Sequence, residues 1–188
     1  MFAAGIGLFG IFKTQIAYDM KSLLTSILLV FIFVLQSSEV LSQADSSSEK
    51  KKIYVFKIDD NIDPRMNRKV KLALEEAKEE SAAMVIIEMD TYGGAVNDAD
   101  DIRTMILESE IPVHVWINKD AASAGALISI ACDSIYMAPG SSIGAATVVN
   151  GTDGAAAPDK YQSYMRSMMR STAEANGRDP KIAEGMVD

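Results

Sequence analysis

Ala83-Met84-Val85-Ile86-Ile87-Glu88-Met89-Asp90-Thr91-Tyr92-Gly93-Gly94 is the stretch on which the fold turns. Its first seven residues are almost continuously apolar, as in a strand buried within a parallel sheet. Two glycines then break the run, and Asn97–Ser109 reads as a helix. The same unit recurs outward from this point. Upstream, Ile53–Ile58 is β-branched and aromatic, a strand. Asp63-Pro64 opens a helix whose body, 67–80, is rich in Lys, Glu, Ala and Leu. Downstream, Ile111–Ile117 is a third strand, followed by a small-residue turn and a helix over 122–132. Ser134–Met137 is a short fourth strand, and a Gly- and Ser-rich stretch follows Pro139. A Gly/Ala loop, 150–157, precedes the Met-rich helix Lys160–Asn176, which Asn176-Gly177 stops. Asp179-Pro180 starts one more. Strands alternating with helices predict an α/β fold of parallel strands joined by right-handed crossovers.

In such a sheet the binding crevice lies beyond the carboxyl ends of the strands. Gly93-Gly94, Ser123 and Ser141-Ser142 follow the second, third and fourth strands, so three small-residue turns converge on one edge. Within Ala121-Ala122-Ser123-Ala124-Gly125-Ala126, a hydroxyl at the first turn of a helix is flanked only by small side chains, and a carbonyl can approach it. First-turn N–H groups have no partner within the helix. The Ala124 amide, with a donor from the Gly93-Gly94 turn, could form an oxyanion hole, worth about 2.7–4 kcal/mol per donor. The alternative is that Ser123 is an N-cap and the small residues only allow close packing.

A serine nucleophile needs a base. The single histidine, His114, lies mid-strand in Val113-His114-Val115-Trp116 and reads as structural. Two lysines remain open on spacing alone. Lys119 is close in sequence but sits in a polar turn beside Asp120. Lys160 begins a helix, whose positive N-terminal end disfavours a protonated amine, although Asp159 works against this.

Composition excludes other classes. The 188 residues are 48% hydrophobic and 23% charged, with net charge −8. The first 44 residues balance Lys13 and Lys21 against Asp19 and Glu39, so the acidity belongs to the rest. Phosphate binding needs clustered Lys and Arg, and no nucleic-acid partner is expected. Lys50-Lys51-Lys52 reads as a solvated lead-in to the first strand. No metal-ligand cluster and no phosphate-loop pattern occur, so no metal or other cofactor is expected. The single Cys132 lies in an apolar run and reads as a buried thiol. Met20-Lys21-Ser22, the apolar run 23–35 and Ser42-Gln43-Ala44 predict a signal peptide over 20–44, with an uncleaved anchor as the alternative. Residues 1–19 then read as an upstream, non-native extension, 45–52 as a linker and 53–188 as the folded domain. The expected location is across the inner membrane, on the periplasmic side, or anchored in it.

Three segments in order carry a resemblance. They are Asp90-Thr91-Tyr92-Gly93-Gly94, Ala122-Ser123-Ala124-Gly125 and Met137-Ala138-Pro139-Gly140-Ser141-Ser142-Ile143-Gly144-Ala145. Together they resemble the NfeD family of membrane-bound serine proteases, which have a ClpP/crotonase-like fold and are similar to signal peptide peptidase A. The resemblance covers about residues 52–188. It implies a Ser-Lys endopeptidase working through an acyl-enzyme, with Ser123 as nucleophile and Lys160 as base. It further implies Gly93, Gly94 and Ala124 as the oxyanion hole, and Ser141, Ser142, Ile143 and Gly144 as lining of the substrate groove. Apolar or membrane-associated polypeptides and a homo-oligomer are the implied partners. A contact through Met165, Met168 and Met169 competes here with simple core packing. Many relatives carry proline where Tyr92 stands. Long members continue through a final strand, transmembrane helices and a small β-barrel domain, so a domain incomplete at its C-terminal end is expected. The rival readings are a non-catalytic binding module of the same fold and a crotonase-type acyl-coenzyme A enzyme. A secretory signal disfavours the second of these, because that cofactor is cytoplasmic.

Overall fold

The structure, a computed structural model, describes residues 51–188. The expectations for residues 1–19 and 20–44, and for most of the linker, lie outside the described residues. Lys50–Asp188 forms one compact unit. Among the described residues no helix is long and apolar enough to cross a membrane.

The chain runs β1 (Ile53–Ile58), α1 (Pro64–Glu79), β2 (Met84–Thr91), α2 (Val96–Leu107), β3 (Val113–Ala122), α3 (Ala124–Ala131), β4 (Ser134–Met137), β5 (Ser142–Gly144), α4 (Asp159–Ala175) and α5 (Pro180–Glu184). Strands pair in the order β1-β2-β3-β4, all parallel, and β5 pairs with β3 beyond β4. α1 starts as its sequence requires. The Asp63 carboxylate accepts from the N–H groups of Arg65 and Met66 at 2.9 and 3.0 Å, and Pro64 occupies the first turn. Those two backbone donors fill orphan positions of the helix end. With the Arg65 guanidinium they hold the Asp63 carboxyl below the usual aspartate range, the Met66 N–H contributing most.

Side chains alternate along each strand, and one face of the sheet carries the core. Val85, Ile87 and Met89 of β2 and Val113, Val115 and Ile117 of β3 are fully buried. The intervening residues of both strands are only half-buried or exposed. The expectation of a wholly enclosed β2 therefore needs correction: its apolar run is continuous, yet only alternate residues meet the helices.

Two further elements differ from the sequence reading. β3 runs on to Ala122, so Asn118-Lys119-Asp120 are strand rather than turn. Between the pairs Met89↔Ile117 and Thr91↔Ala121, β3 advances four residues while β2 advances two. Such an irregularity bends a strand and re-aims the residues beyond it. The Ser142-Ile143-Gly144 segment, read from sequence only as part of a Gly- and Ser-rich stretch, is the strand that supports this extension, with Asp120↔Ser142 and Ala122↔Gly144 in register. α3 is buried along its whole length. Met165, Met168 and Met169 of α4 are buried as well, which settles the methionine face as core.

Candidate active site

Ser123 is the one residue between the end of β3 and the start of α3. Its backbone has φ 55° and ψ −115°, and its side chain makes no capping hydrogen bond. A β-carbon resists positive φ, and the cost is on the order of 1–3 kcal/mol. The N-cap alternative fails here, because an N-cap serine has extended dihedrals and a bonded hydroxyl. The strain is held from both sides. The Ser123 N–H donates to the Gly144 carbonyl at 2.8 Å, and the Ser123 carbonyl accepts from Ala126 at 3.0 Å as α3 begins. A strained strand-to-helix turn of this kind lifts a hydroxyl clear of the surrounding chain.

The glycine turn lies against this serine. A β-carbon at Gly93 (φ 111°) would come within 2.6 Å of Ser123 Cβ and 3.1 Å of its Oγ. One at Gly94 (φ 155°) would come within 2.1 Å of the Ile62 carbonyl oxygen. Both positions therefore require glycine. The turn is anchored to the loop after β1: Ile62 N–H donates to Gly93 O at 2.9 Å, and Ala95 N–H donates to Ile62 O at 2.8 Å. In a trans peptide the C=O and the following N–H point in opposite directions. Since Gly93 O faces Ile62, the Gly94 N–H is directed away from it. The Gly93 N–H is already committed, donating to Thr91 Oγ1 at 3.1 Å, and the Thr91 hydroxyl donates to Asp60 O at 2.8 Å.

The remaining expected site residues divide. Gly144 is joined to Ser123 by its carbonyl. The Ser142 hydroxyl donates to Asp120 Oδ1 at 2.6 Å, tying β5 to β3, and the Ser141 hydroxyl closes its own turn on Ala138 O at 2.8 Å. Ile143 is half-buried between them. Ala124 is buried at the first position of α3.

Lys160 lies in the first turn of α4, exposed, with its Nζ 4.8 Å from the centroid of the Tyr161 ring. It lines a mostly apolar cleft of about 520 Å³ with Val96, Asn97, Val148, Tyr164 and Met165. Val96 opens α2 immediately after the glycine turn, so this cleft adjoins the turn. Among the described residues Lys160 makes no hydrogen bond to Ser123. Asp159 is drawn off by Arg166 at 3.1 Å. Lys119 is paired with Asp90 at 3.3 Å and lines a second cleft, of about 410 Å³, with Thr91, Tyr92 and Gly93. His114 stands on β3 nine residues before Ser123, a span of up to about 30 Å along the strand. Its ring lies 5.9 Å from that of Tyr136. Cys132 is fully buried, its thiol pushed far above the ordinary range by desolvation, which disqualifies it as a rival nucleophile.

Thr91, Ile62 and Gly125 escaped the sequence reading as site residues. Thr91 stands inside the Asp90–Gly94 motif, so its signal was there. Gly125 ends the Ala122–Gly125 motif, and a β-carbon there would meet Thr91 Cγ2 at 2.7 Å. Nothing local marks Ile62, whose place depends on the fold.

A one-sided parallel sheet, a strained serine at a strand-to-helix turn and a glycine turn packed against it define a ClpP-like α/β protein. The chain belongs to the NfeD1b N-terminal domain family, whose model matches residues 52–188. It is 41% identical over 146 residues to the membrane protein NfeD1b of Bacillus subtilis, covering 78% of this chain and 33% of that protein. It is 32% identical over 174 residues to the membrane-bound protease PH1510 of Pyrococcus horikoshii, covering 89% of this chain and 37% of the other. The chain thus spans about a third of the length of the curated relatives it matches.

Among solved structures, it resembles a lysine-to-alanine variant of the 1510-N membrane-bound stomatin-specific protease in complex with a substrate peptide. There the TM-score is 0.70 and the identity 32%, covering 74% of this chain and 67% of that one. A serine-to-alanine variant of the same protease gives a TM-score of 0.69 at 31% identity, covering 73% and 70%. ClpP1 of Listeria monocytogenes, at 21% identity and TM-score 0.58, covering 72% and 79%, shares the fold.

Proposed function

We propose that residues 53–188 form a serine endopeptidase domain in which Ser123 is the nucleophile and Lys160 the general base. The observation that carries the reading is the positive-φ backbone of Ser123, with its hydroxyl left free at the carboxyl end of the sheet. The relatives support it: one is a membrane-bound protease, and its solved variants replace one serine and one lysine, the serine preceding the lysine. Only Lys160 and Lys181 follow Ser123 in this chain. Lys160 lines the cleft that adjoins the glycine turn, whereas Lys181 stands on α5.

In the proposed reaction Ser123 Oγ forms a bond to the scissile carbonyl carbon as its proton passes to neutral Lys160 Nζ. The carbonyl oxygen becomes an oxyanion facing the N–H groups of Gly94 and Ala124. Gly93 shapes this hole through its close contact with Ser123, its own N–H being spent on Thr91. Collapse breaks the C–N bond, and the amine leaves with the proton from Lys160. A water, deprotonated by the same lysine, then releases the acid from Ser123. Lys160 must swing from the Tyr161 ring to reach the hydroxyl, and apolar polypeptide entering the adjoining cleft would favour that movement. Ser141–Gly144 would flank the extended substrate. Membrane association is proposed here by analogy with the relatives.

Incubating the full chain with apolar peptides and following cleavage by mass spectrometry tests the reading. Turnover falling about 10³-fold or more in both Ser123→Ala and Lys160→Ala is expected. Cleavage that survives Lys160→Ala and disappears in Lys119→Ala would reassign the base. The position of Lys160 over Tyr161 favours a second reading, a non-catalytic peptide-binding domain. Peptide retained by the wild-type chain without any cleavage would establish that reading.

A further inference from the structure

A lysine can take a proton only as the neutral amine, and its own helix acts on Lys160 in two directions. The N-terminal end of α4 disfavours the protonated form, whereas the carboxylate of Asp159, the first residue of α4, favours it. Which influence prevails depends on where that carboxylate is held. Adjacent helix positions point about 100° apart, but positions seven apart face within about 20° of one another. Arg166 therefore stands two turns along α4 on the side of Asp159, away from the side that carries Lys160. Its Nη2 donates to Asp159 Oδ1 at 3.1 Å, and its Nη1 donates to Asp188 Oδ1 at 3.1 Å. Asp188 is itself fixed, because it follows Met186 and Val187. Their carbonyls accept from the Ala146 N–H at 2.7 Å and from the Thr147 hydroxyl at 2.9 Å. The Arg166 side chain is accordingly only 26% exposed, while that of Asp159 is 90% exposed and would be free to swing if released.

We propose that Arg166 is a positioning residue for the general base: it keeps the Asp159 carboxylate on its own flank of α4 and so leaves Lys160 free to shed its proton. The inference rests on the reading of Lys160 as the base. The Arg166 guanidinium is held above its ordinary range, the Asp159 hydrogen bond contributing most. Among the described residues no other carboxylate competes for Lys160. The cleft beside it brings Tyr161 and Tyr164 from α4, the uncharged Val96 and Asn97 from α2, and Val148 from the preceding loop. Farther along α2, Asp98 and Asp101 accept from Asn67, and Asp100 accepts from Arg103. In the loop, Asp153 accepts from the Ala155 N–H. The helix α3 carries no charged side chain. From α5 come Lys181 and Glu184, and Glu184 pairs at 3.2 Å with Arg170, ten residues or about 15 Å along α4 from Lys160.

Competitive acetylation of the full chain with acetic anhydride, read by peptide mass spectrometry, follows Lys160 without requiring catalysis. The series runs at low ionic strength from neutral pH to about pH 11, across the lysine range. In Arg166→Gln the Asp159 carboxylate is released, and the pH at which Lys160 becomes reactive is expected to rise by about half a unit, the scale of one exposed ion pair. Salt at about 1 M should shrink that shift. Asp159→Asn/Arg166→Gln is expected to return to the wild-type value, since the pair removed is neutral as a whole. Asp159→Asn alone has no carboxylate to release and should leave the value level or lower it. The acid limb of peptide cleavage is expected to move with Lys160 in every variant. A Lys160 unmoved in Arg166→Gln would overturn the proposal. A shift equally large in the double variant would overturn it too, because Asp159 would then play no part. A Lys160 that shifts while the pH dependence of cleavage does not would uphold the hold on the amine and overturn its reading as the base, so the two fail separately.

Discussion

Ser123 holds a backbone conformation that its own side chain disfavours, and three neighbours enforce it. The Gly144 carbonyl fixes its N–H, α3 takes its carbonyl, and the bare Cα of Gly93 lies where any side chain would collide with it. Thr91 governs the third of these, bridging Asp60 O and the Gly93 N–H with one buried hydroxyl. Thr91→Val keeps the shape and removes both bonds. Expected is a stability loss of about 1–3 kcal/mol from the unpaired buried groups, read by urea denaturation. A kcat about tenfold lower at unchanged KM should accompany it, with Thr91→Ser restoring the rate; a Thr91→Val enzyme of full kcat would reduce the residue to a structural one. The serine and both glycines were legible in the sequence because small residues clustered after successive strands. That Gly94 offers a free donor while Gly93 does not was invisible there, since it depends on a long-range bond to Ile62.

At the scale of elements, α3 begins directly after Ser123 and is buried on every side, so its end needs internal partners. The last carbonyls of such a helix are orphans. Here Asn176 donates to Ile130 O and Ala131 O, while Arg178 donates to Ile130 O at 3.0 Å, Cys132 O at 2.7 Å and Asp133 O at 3.1 Å. The loop after α4 thereby caps the helix that follows Ser123. Arg178→Ala is expected to cost about 2–3 kcal/mol, since bonds to a charged donor are among the stronger ones, and a thermal melt will show it; an unchanged midpoint would mean that water replaces the guanidinium freely. The sequence marked Asn176-Gly177 as a helix stop, which it is, but held no sign of this cap. The strand boundaries were missed for a related reason. Asn118-Lys119-Asp120 are polar and look like a turn, yet pairing with β5 and the irregular register against β2 hold them in the sheet.

For the molecule as a whole, alternation of strands and helices was enough to fix the parallel α/β architecture, and three short motifs were enough to fix the family. The one-sided sheet was not legible, because β2 is apolar at positions on both faces and composition does not say which face the helices choose. Nor does sequence order bring Lys160 to Ser123: the lysine lines the cleft beside the glycine turn, while the hydroxyl lies against Gly93. The proposed protease function therefore requires Ser123 to be chemically activated. The most direct test is to treat the full chain with a fluorophosphonate and map the adduct by peptide mass spectrometry. A single adduct on Ser123, lost in Lys160→Ala while the fold persists, is the expected result. A folded wild-type chain that takes no adduct, or takes it equally well without Lys160, would contradict the dyad.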